Sequence, residues 1–306
     1  MKAYLGLVRW STLWMIGLMF LLTKTQVVDV ISELSGVESC ITKMHWWLVA
    51  LATVFIAASG NVVNDIFDQH IDFHNKPNKL IVGRTVSESS AWNFYYALGS
   101  IGLGLGMFLC WQLGNVSNSL IFMLSAGGLY FYSYSYKRQF LIGNLVVAFL
   151  AALVPFLPLY LQMMCTPDLW MELPWAPILV ALSFFSFLTT LIREIIKDME
   201  DVKGDKFAQS TTIPITIGIK ATKAVVIFLV MVLMSTIVSL QSDWLRRKDW
   251  LMFWYFLIAV QLPAAAIILQ VMRAEKPKDF HLASTISKLL MLGGILSLIA
   301  FRISLQ

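Results

Sequence analysis

Hydrophobic residues in this chain arrive in long blocks rather than in stripes. Apolar runs cover 4–23, 44–67, 90–112, 116–136, 140–163, 175–197, 219–241, 249–272 and 284–304. Each reaches the roughly 20 residues that a helix needs to cross the hydrocarbon core of a bilayer. Backbone groups in lipid must be satisfied within their own segment, so runs of this kind form helices. The breaks between them carry turn or charge chemistry, as at Pro77, Gly114-Asn115, Lys137-Arg138 and Pro277. The pattern predicts an all-α, polytopic membrane protein with nine transmembrane helices in a single domain over 1–306.

Composition agrees with that pattern and narrows it. The chain is 58% hydrophobic and only 13% charged, about half the charged fraction of a soluble domain. The net charge of +5 is therefore read against a membrane rather than as a nucleic-acid footprint. With the N-terminus inside, 17 of the 23 Lys and Arg residues fall on the inner side, as the positive-inside rule requires. This places the chain in the cell (inner) membrane with a cytoplasmic N-terminus and an outer C-terminus. Arg246-Arg247-Lys248 is the one contrary cluster. The first apolar run lacks a small-residue cleavage site and is read as a span, not a removed signal. Cys40, Cys110 and Cys165 are odd in number and far apart. No disulfide framework or metal spacing is visible among them, and they read as small apolar fillers.

Polar residues matter most where they interrupt this pattern. Asn61, Asp65, Asp68 and Asp72 stand at offsets 0, 4, 7 and 11. At 3.6 residues per turn those positions fall within a sector of roughly 60°, on one helix face. Glu194, Asp198, Asp201 and Asp205 repeat the same offsets at the end of another apolar run. Acids at the C-terminal end of a span are disfavoured by the helix dipole, and acids in membrane segments mark function by default. The two faces read as halves of one site on the cytoplasmic side.

Hard oxygen ligands suit Mg²⁺, which keeps waters and shares its coordination with substrate phosphates. Two such faces could hold two Mg²⁺ with a diphosphate between them. Lys76, Arg84, Lys137, Arg193 and Lys197 lie close by in sequence and could neutralise the departing phosphate charge. Greasy helices behind a metal–phosphate end suggest an isoprenyl diphosphate as substrate and a lipophilic acceptor, met in the membrane lipid. No nucleic acid or obligate protein partner is implied. A cation transporter is the reading from a different class. It would place acids near the bilayer midplane on broken helices, whereas these acids end helices with basic residues interleaved. His70 and His74 have the spacing of a metal pair but point away from the acidic face. Gly99, Gly102, Gly104 and Gly106 read as close helix packing.

Asn64-Asp65-x-x-Asp68-x-x-x-Asp72 and Asp198-x-x-Asp201-x-x-x-Asp205 resemble the two aspartate-rich motifs of the UbiA superfamily of membrane prenyltransferases. Lys76-Pro77-Asn78-Lys79, Tyr134-x-x-Lys137 with Gly143-Asn144, and Arg193-Glu194-x-x-Lys197-Asp198 extend the resemblance over most of the chain. Within the superfamily the motif wording most resembles the geranylgeranylglyceryl-phosphate geranylgeranyltransferase branch. The resemblance implies a nine-helix bundle around a central cavity, with the active site at its cytoplasmic cap. Asn61, Asp65, Asp68, Asp198, Asp201 and Asp205 would hold Mg²⁺, with Asn64 and the basic residues above on the diphosphate. Asp72 would join the diphosphate site or orient Lys76 or Arg84. Lys137 and Tyr134 match positions near the diphosphate and the developing carbocation. The implied reaction moves a geranylgeranyl group from its diphosphate to a geranylgeranylglyceryl phosphate-like acceptor. An aromatic quinone precursor or a porphyrin is the alternative acceptor. One departure stands out: where many members open the first span with an Arg-Pro-x-Asn-like element near the acceptor, this chain has Arg9-Trp10-Ser11-Thr12. Arg9 is then either a contact for an anionic acceptor or a positive-inside anchor.

Overall fold

The computed structural model describes residues 2–69, 80–165 and 173–306. A short helix, Lys2–Leu7, precedes the bundle. The spanning helices follow as α1 Trp10–Ser35, α2 Lys43–Phe67 and α3 Glu88–Gln112. Next come α4 Leu120–Tyr134 and α5 Ile142–Cys165 and α6 Ala176–Phe207. The last three are α7 Gly218–Arg246, α8 Trp250–Arg273 and α9 Pro277–Ser304. Among the described residues, all of these except α4 are long and apolar enough to cross a bilayer unaided. The 15-residue α4 is extended at its N-terminal end by a 3₁₀ turn, Val116–Ser119. The apolar run 116–136 thus folds as two joined pieces. The bundle is all-α, as the blocks of hydrophobicity predict.

The helices group into two halves that meet at α5, α6 and α9. In one half α2 packs most extensively on α3, with α1 and α4 against its other sides. In the other, α6 packs on α5, α7 and α9, and α8 closes against α9. Close approach depends on small residues. A Cβ added to Gly102 of α3 would lie 2.8–3.1 Å from Ile56 and the Ala52 carbonyl of α2, so only glycine permits this contact. Gly106 is crowded in the same way by Phe122, whereas Gly104 meets nothing within 4 Å. The glycine-rich face is therefore real packing at some positions and open at others.

α5 contains Pro155 and Pro158, which remove donors from a helix that has no water to replace them. Ser186 of α6 donates to the Ala151 carbonyl at 2.9 Å. That carbonyl is the one Pro155 leaves without its usual partner, so the neighbouring helix restores the bond.

The cysteines require a correction. Cys40 and Cys165 form a disulfide, with Cα atoms 6.2 Å apart across 125 residues of sequence, while Cys110 is free and buried. A pair closed by the ends of α2 and α5 leaves no local spacing to read. Gln162 reinforces the junction, its side-chain oxygen accepting from Ser39 Oγ at 2.9 Å and from the Cys40 amide at 3.2 Å. The disulfide lies at the start of α2 and the end of α5. The acidic residues of α2 lie at the other end, about 35 Å away at 1.5 Å per residue.

Candidate functional site

Sequence spacing places Asn61, Asn64 and Asp65 on the last turns of α2, and Asp68 caps that helix with φ −88° and ψ −2°. Asp72 and Lys76 lie outside the described residues, as do His70 and His74. The second acidic run behaves differently. α6 continues through Phe207, ten residues beyond the apolar run 175–197, so Glu194, Asp198, Asp201 and Asp205 share one continuous helix.

Tertiary packing brings the two runs to the same end of the bundle. Asp205 lies within electrostatic range of Asp68 and Lys137. The Tyr132 hydroxyl feels Glu194, Asp198, Asp68 and Arg9 together. Tyr132 thus stands between the runs, while Tyr134 is 57% exposed and packs edge-on against Phe67 at 5.5 Å. Periodicity alone could have separated these two tyrosines, since residues two apart on a helix point to different faces.

Cations hold the first run. Arg9 Nη2 donates to Asp65 Oδ1 at 2.7 Å, and Lys137 Nζ donates to Asp68 Oδ1 at 2.5 Å and to Asn64 Oδ1 at 3.3 Å. Asn64 Nδ2 in turn donates to Asp68 Oδ2 at 2.8 Å. The Lys137 pKa is lowered because burial penalises its charge, against the attraction of Asp68. Its position depends on Gly143: a Cβ there would fall 2.6 Å from the Lys137 Cα. The turn carrying Lys137 could not rest on α5 with any other residue. Thr211 adds a second tie, its amide donating to the Arg138 carbonyl at 2.7 Å. This bond joins the Lys137 turn to the loop that follows α6.

Arg9 is placed by a backbone break. It sits at φ 51° and ψ 54°, a left-handed conformation that costs a non-glycine residue about 1–2 kcal/mol. Asn61 Nδ2 donates to the neighbouring Val8 carbonyl at 2.9 Å, so the first motif's own asparagine steadies the break. The side-chain oxygen of Asn61 takes no part in this bond.

Neutral donors hold the second run. Asn144 Nδ2 donates to Asp198 Oδ2 at 2.8 Å, and Thr212 Oγ1 donates to Asp205 Oδ2 at 3.2 Å. Arg193 and Lys197 turn instead to Glu194, at 2.7 and 3.0 Å. Arg84 is exposed on the turn that follows the undescribed stretch. Asn144, Thr212 and Tyr132 are site residues that spacing did not single out, because each reaches the acids from a different element.

The donor set fits Mg²⁺. Carboxylate and amide oxygens from Asn61, Asp65, Asp68, Asp198, Asp201 and Asp205 are hard ligands, and Mg²⁺ needs few of them when water and phosphate complete its shell. Among the described residues no three carboxylate, imidazole or thiol groups converge tightly enough to hold an ion by themselves.

The fold has counterparts of known architecture. A solved structure concerned with digeranylgeranylglyceryl phosphate synthase in membranes superposes with a TM-score of 0.62 at 25% identity, covering 99% of this chain and 97% of the other. A UbiA homologue from Aeropyrum pernix K1 shares the fold with a TM-score of 0.57 at 18% identity, over 92% of this chain and 98% of that one. The digeranylgeranylglyceryl phosphate synthase of Methanothermobacter thermautotrophicus is 30% identical over 255 residues, 83% of each chain. That of Saccharolobus solfataricus is 31% identical over 274 residues, 87% of this chain and 90% of its own. The UbiA prenyltransferase family model matches residues 8–292, a span holding both acidic runs, Arg9 and Lys137. With eight apolar helices of spanning length among the described residues and paired acidic runs at one end, this chain is a membrane-embedded prenyltransferase and belongs to the UbiA prenyltransferase family.

Proposed function

We propose that the chain transfers a prenyl group from an isoprenyl diphosphate, with geranylgeranyl diphosphate the best fit, to a geranylgeranylglyceryl phosphate-like lipid. The observation that carries this reading is that Lys137 is hydrogen-bonded to Asp68 with Asp205 of the other run within electrostatic range of both. A diphosphate needs carboxylates to hold its counter-ions and a cation to receive the charge of the leaving oxygen. The relatives' names support the choice of acceptor.

Asn61, Asp65 and Asp68 would hold Mg²⁺ from one side and Asp198, Asp201 and Asp205 from the other, two ions in all. Bound Mg²⁺ supplies charge neutralisation on the diphosphate oxygens. The allylic C1–O bond breaks heterolytically, and its electron pair leaves with the diphosphate. Lys137, with Asn64 as its second contact, donates to the departing oxygens and stabilises them where charge develops. The acceptor hydroxyl oxygen then bonds to C1, and its proton passes to the released diphosphate. Tyr132 lies within electrostatic range of both runs, and its ring would stabilise the allylic cation. Asn144 and Thr212 keep the second run oriented, a role in which partners of metal ligands commonly matter 10–100-fold.

In this reading the acidic end faces the cytoplasm. The Cys40–Cys165 disulfide supports the assignment, since disulfides persist on the oxidising side of a membrane and this one sits at the far end of α2 and α5. The charge distribution points the same way.

The test is release of diphosphate by purified protein supplied with Mg²⁺, geranylgeranyl diphosphate and the lipid phosphate. EDTA should abolish it, and mass spectrometry should find the doubly prenylated lipid. Transfer to an aromatic acid in place of the glycerol lipid would move the assignment to another branch of the family.

A further inference from the structure

At the end of the bundle opposite the acidic runs, the turn from α7 to α8 carries Arg246-Arg247-Lys248, the cations that run against the charge asymmetry of the chain. The turn is a tight helix stop. The Asp249 amide donates to the Trp244 carbonyl at 2.9 Å and the Lys248 amide to the Leu245 carbonyl at 3.1 Å, the paired bonds of a Schellman motif. Lys248 takes the left-handed position of that motif at φ 59°, where glycine is usual and a side chain is strained. Strain held at a single position is a pointer to function.

The corner around this turn is fixed by specific contacts. Asp249 Oδ1 accepts from the Met252 amide at 3.1 Å and so caps α8. Ser304 Oγ donates to Asp249 Oδ2 and ties in the end of α9. Trp244 packs on Phe256 with ring centroids 4.7 Å apart. Between these parts lies an open hollow of about 530 Å³, lined by residues 247–251 and by Ser304 and Leu305. The acid in that lining is Asp249, and both of its oxygens are occupied. Asp243 is taken by Arg246 Nη2 at 2.6 Å. Among the described residues Arg247 and Lys248 have no carboxylate within ion-pair distance, the terminal carboxylate of Gln306 included.

Depth narrows what these two cations can meet. Trp250 and Trp254 are both exposed and stand one turn apart on one face at the start of α8, as rings do at the level of lipid head groups. Leu251 and Leu305 are exposed beside them. A solvated loop would explain the cations, but neither the lysine in a glycine position nor the hollow beside it. An anionic lipid would use all of these features. A guanidinium and an ammonium bind phosphate oxygens well, and the rings and leucines extend the hollow with a wall for hydrocarbon chains. We propose that the α7–α8 turn and the end of α9 form a seat for an anionic phospholipid. Arg247 and Lys248 hold its phosphate, and its chains lie along Trp250, Trp254 and Leu305. The seat is roughly 40 Å from the acidic end along α7, and it does not depend on the reaction proposed above.

The experiment titrates the full chain in detergent with phosphatidylglycerol, phosphatidylcholine or inorganic phosphate and reads the Kd of the first bound molecule by native mass spectrometry. The wild type should bind phosphatidylglycerol about ten-fold more tightly than either of the others, the scale of one charge-assisted contact. The double variant Arg247→Gln, Lys248→Gln should weaken phosphatidylglycerol about 25-fold, from about five-fold for each cation, and leave phosphatidylcholine within about two-fold. Lys248→Gly should lose about five-fold with no fall in thermal midpoint, since glycine takes the left-handed position without strain. Unchanged phosphatidylglycerol binding by the double variant would reduce the cations to a solvated anchor and overturn the proposal. Equal losses for the two lipids would make the hollow a merely apolar one and overturn it too. Inorganic phosphate bound as tightly as phosphatidylglycerol would leave an anion site with no lipid, and the proposal would fall on that result as well.

Discussion

The two acidic runs share a spacing but not a chemistry. Asp65 and Asp68 are each paired with a cation, Arg9 and Lys137. Asp198 and Asp205 are steadied by an amide and a hydroxyl, from Asn144 and Thr212. In the proposed function the first run would exchange a cation for a metal. The second run need only keep its orientation. The first run also ends its helix at Phe67, while the second is embedded in a helix that continues to Phe207. Asp65 and Asp68 are thus charge-compensated, whereas Asp198 and Asp205 have neutral support and Glu194 takes the cations of its own helix.

That contrast can be broken outright. Asp65→Ala and Asp198→Ala should each lower turnover at least about 10³-fold, since an ion shared with diphosphate loses a ligand and its charge stabilisation together. Diphosphate release measures this, and retention of the size-exclusion profile shows that the fold survives. A variant with near-normal turnover would exclude that run from the metal site.

The contrast can also be sharpened. Lys137→Met should cut kcat about 100-fold, in line with loss of one donor to developing charge. The same change removes the cation that competes for Asp68, so half-saturation in Mg²⁺ should shift to lower concentration. Asn144→Ala should do the reverse, raising the Mg²⁺ requirement about ten-fold with a smaller effect on kcat at saturating metal. Mg²⁺ titrations of the three proteins would reveal opposite displacements. Shifts of the same sign would mean that both runs are neutralised alike. The smallest effect belongs to the opposite end of the bundle. Reducing the Cys40–Cys165 disulfide should lower the thermal midpoint by several degrees and leave turnover within about two-fold.

Much of this was legible without coordinates. The blocks of hydrophobicity foretell the helices within a few residues for most spans, because lipid leaves the backbone no alternative to internal hydrogen bonding. Both acidic runs stand out because carboxylates are costly near a membrane and therefore rare there. The α6 boundary was less accessible: polar residues from 198 to 207 carry no apolar signal, yet the helix continues through them. Thr212 looks ordinary in sequence, and it acquires meaning, as Asn144 acquires its partner, only from the acid it touches.

What the chain determined by itself is local: which segments can cross a membrane, and which helix faces carry acid. Those properties follow from side-chain transfer energies and helical periodicity, which depend on neighbours a few residues away. Partnership was decided by the tertiary structure. It chose Arg9 for Asp65, Lys137 for Asp68, Asn144 for Asp198, and Cys40 for Cys165. Such choices depend on distances between helices remote in sequence, and close packing sets those distances. No count along the chain contains them.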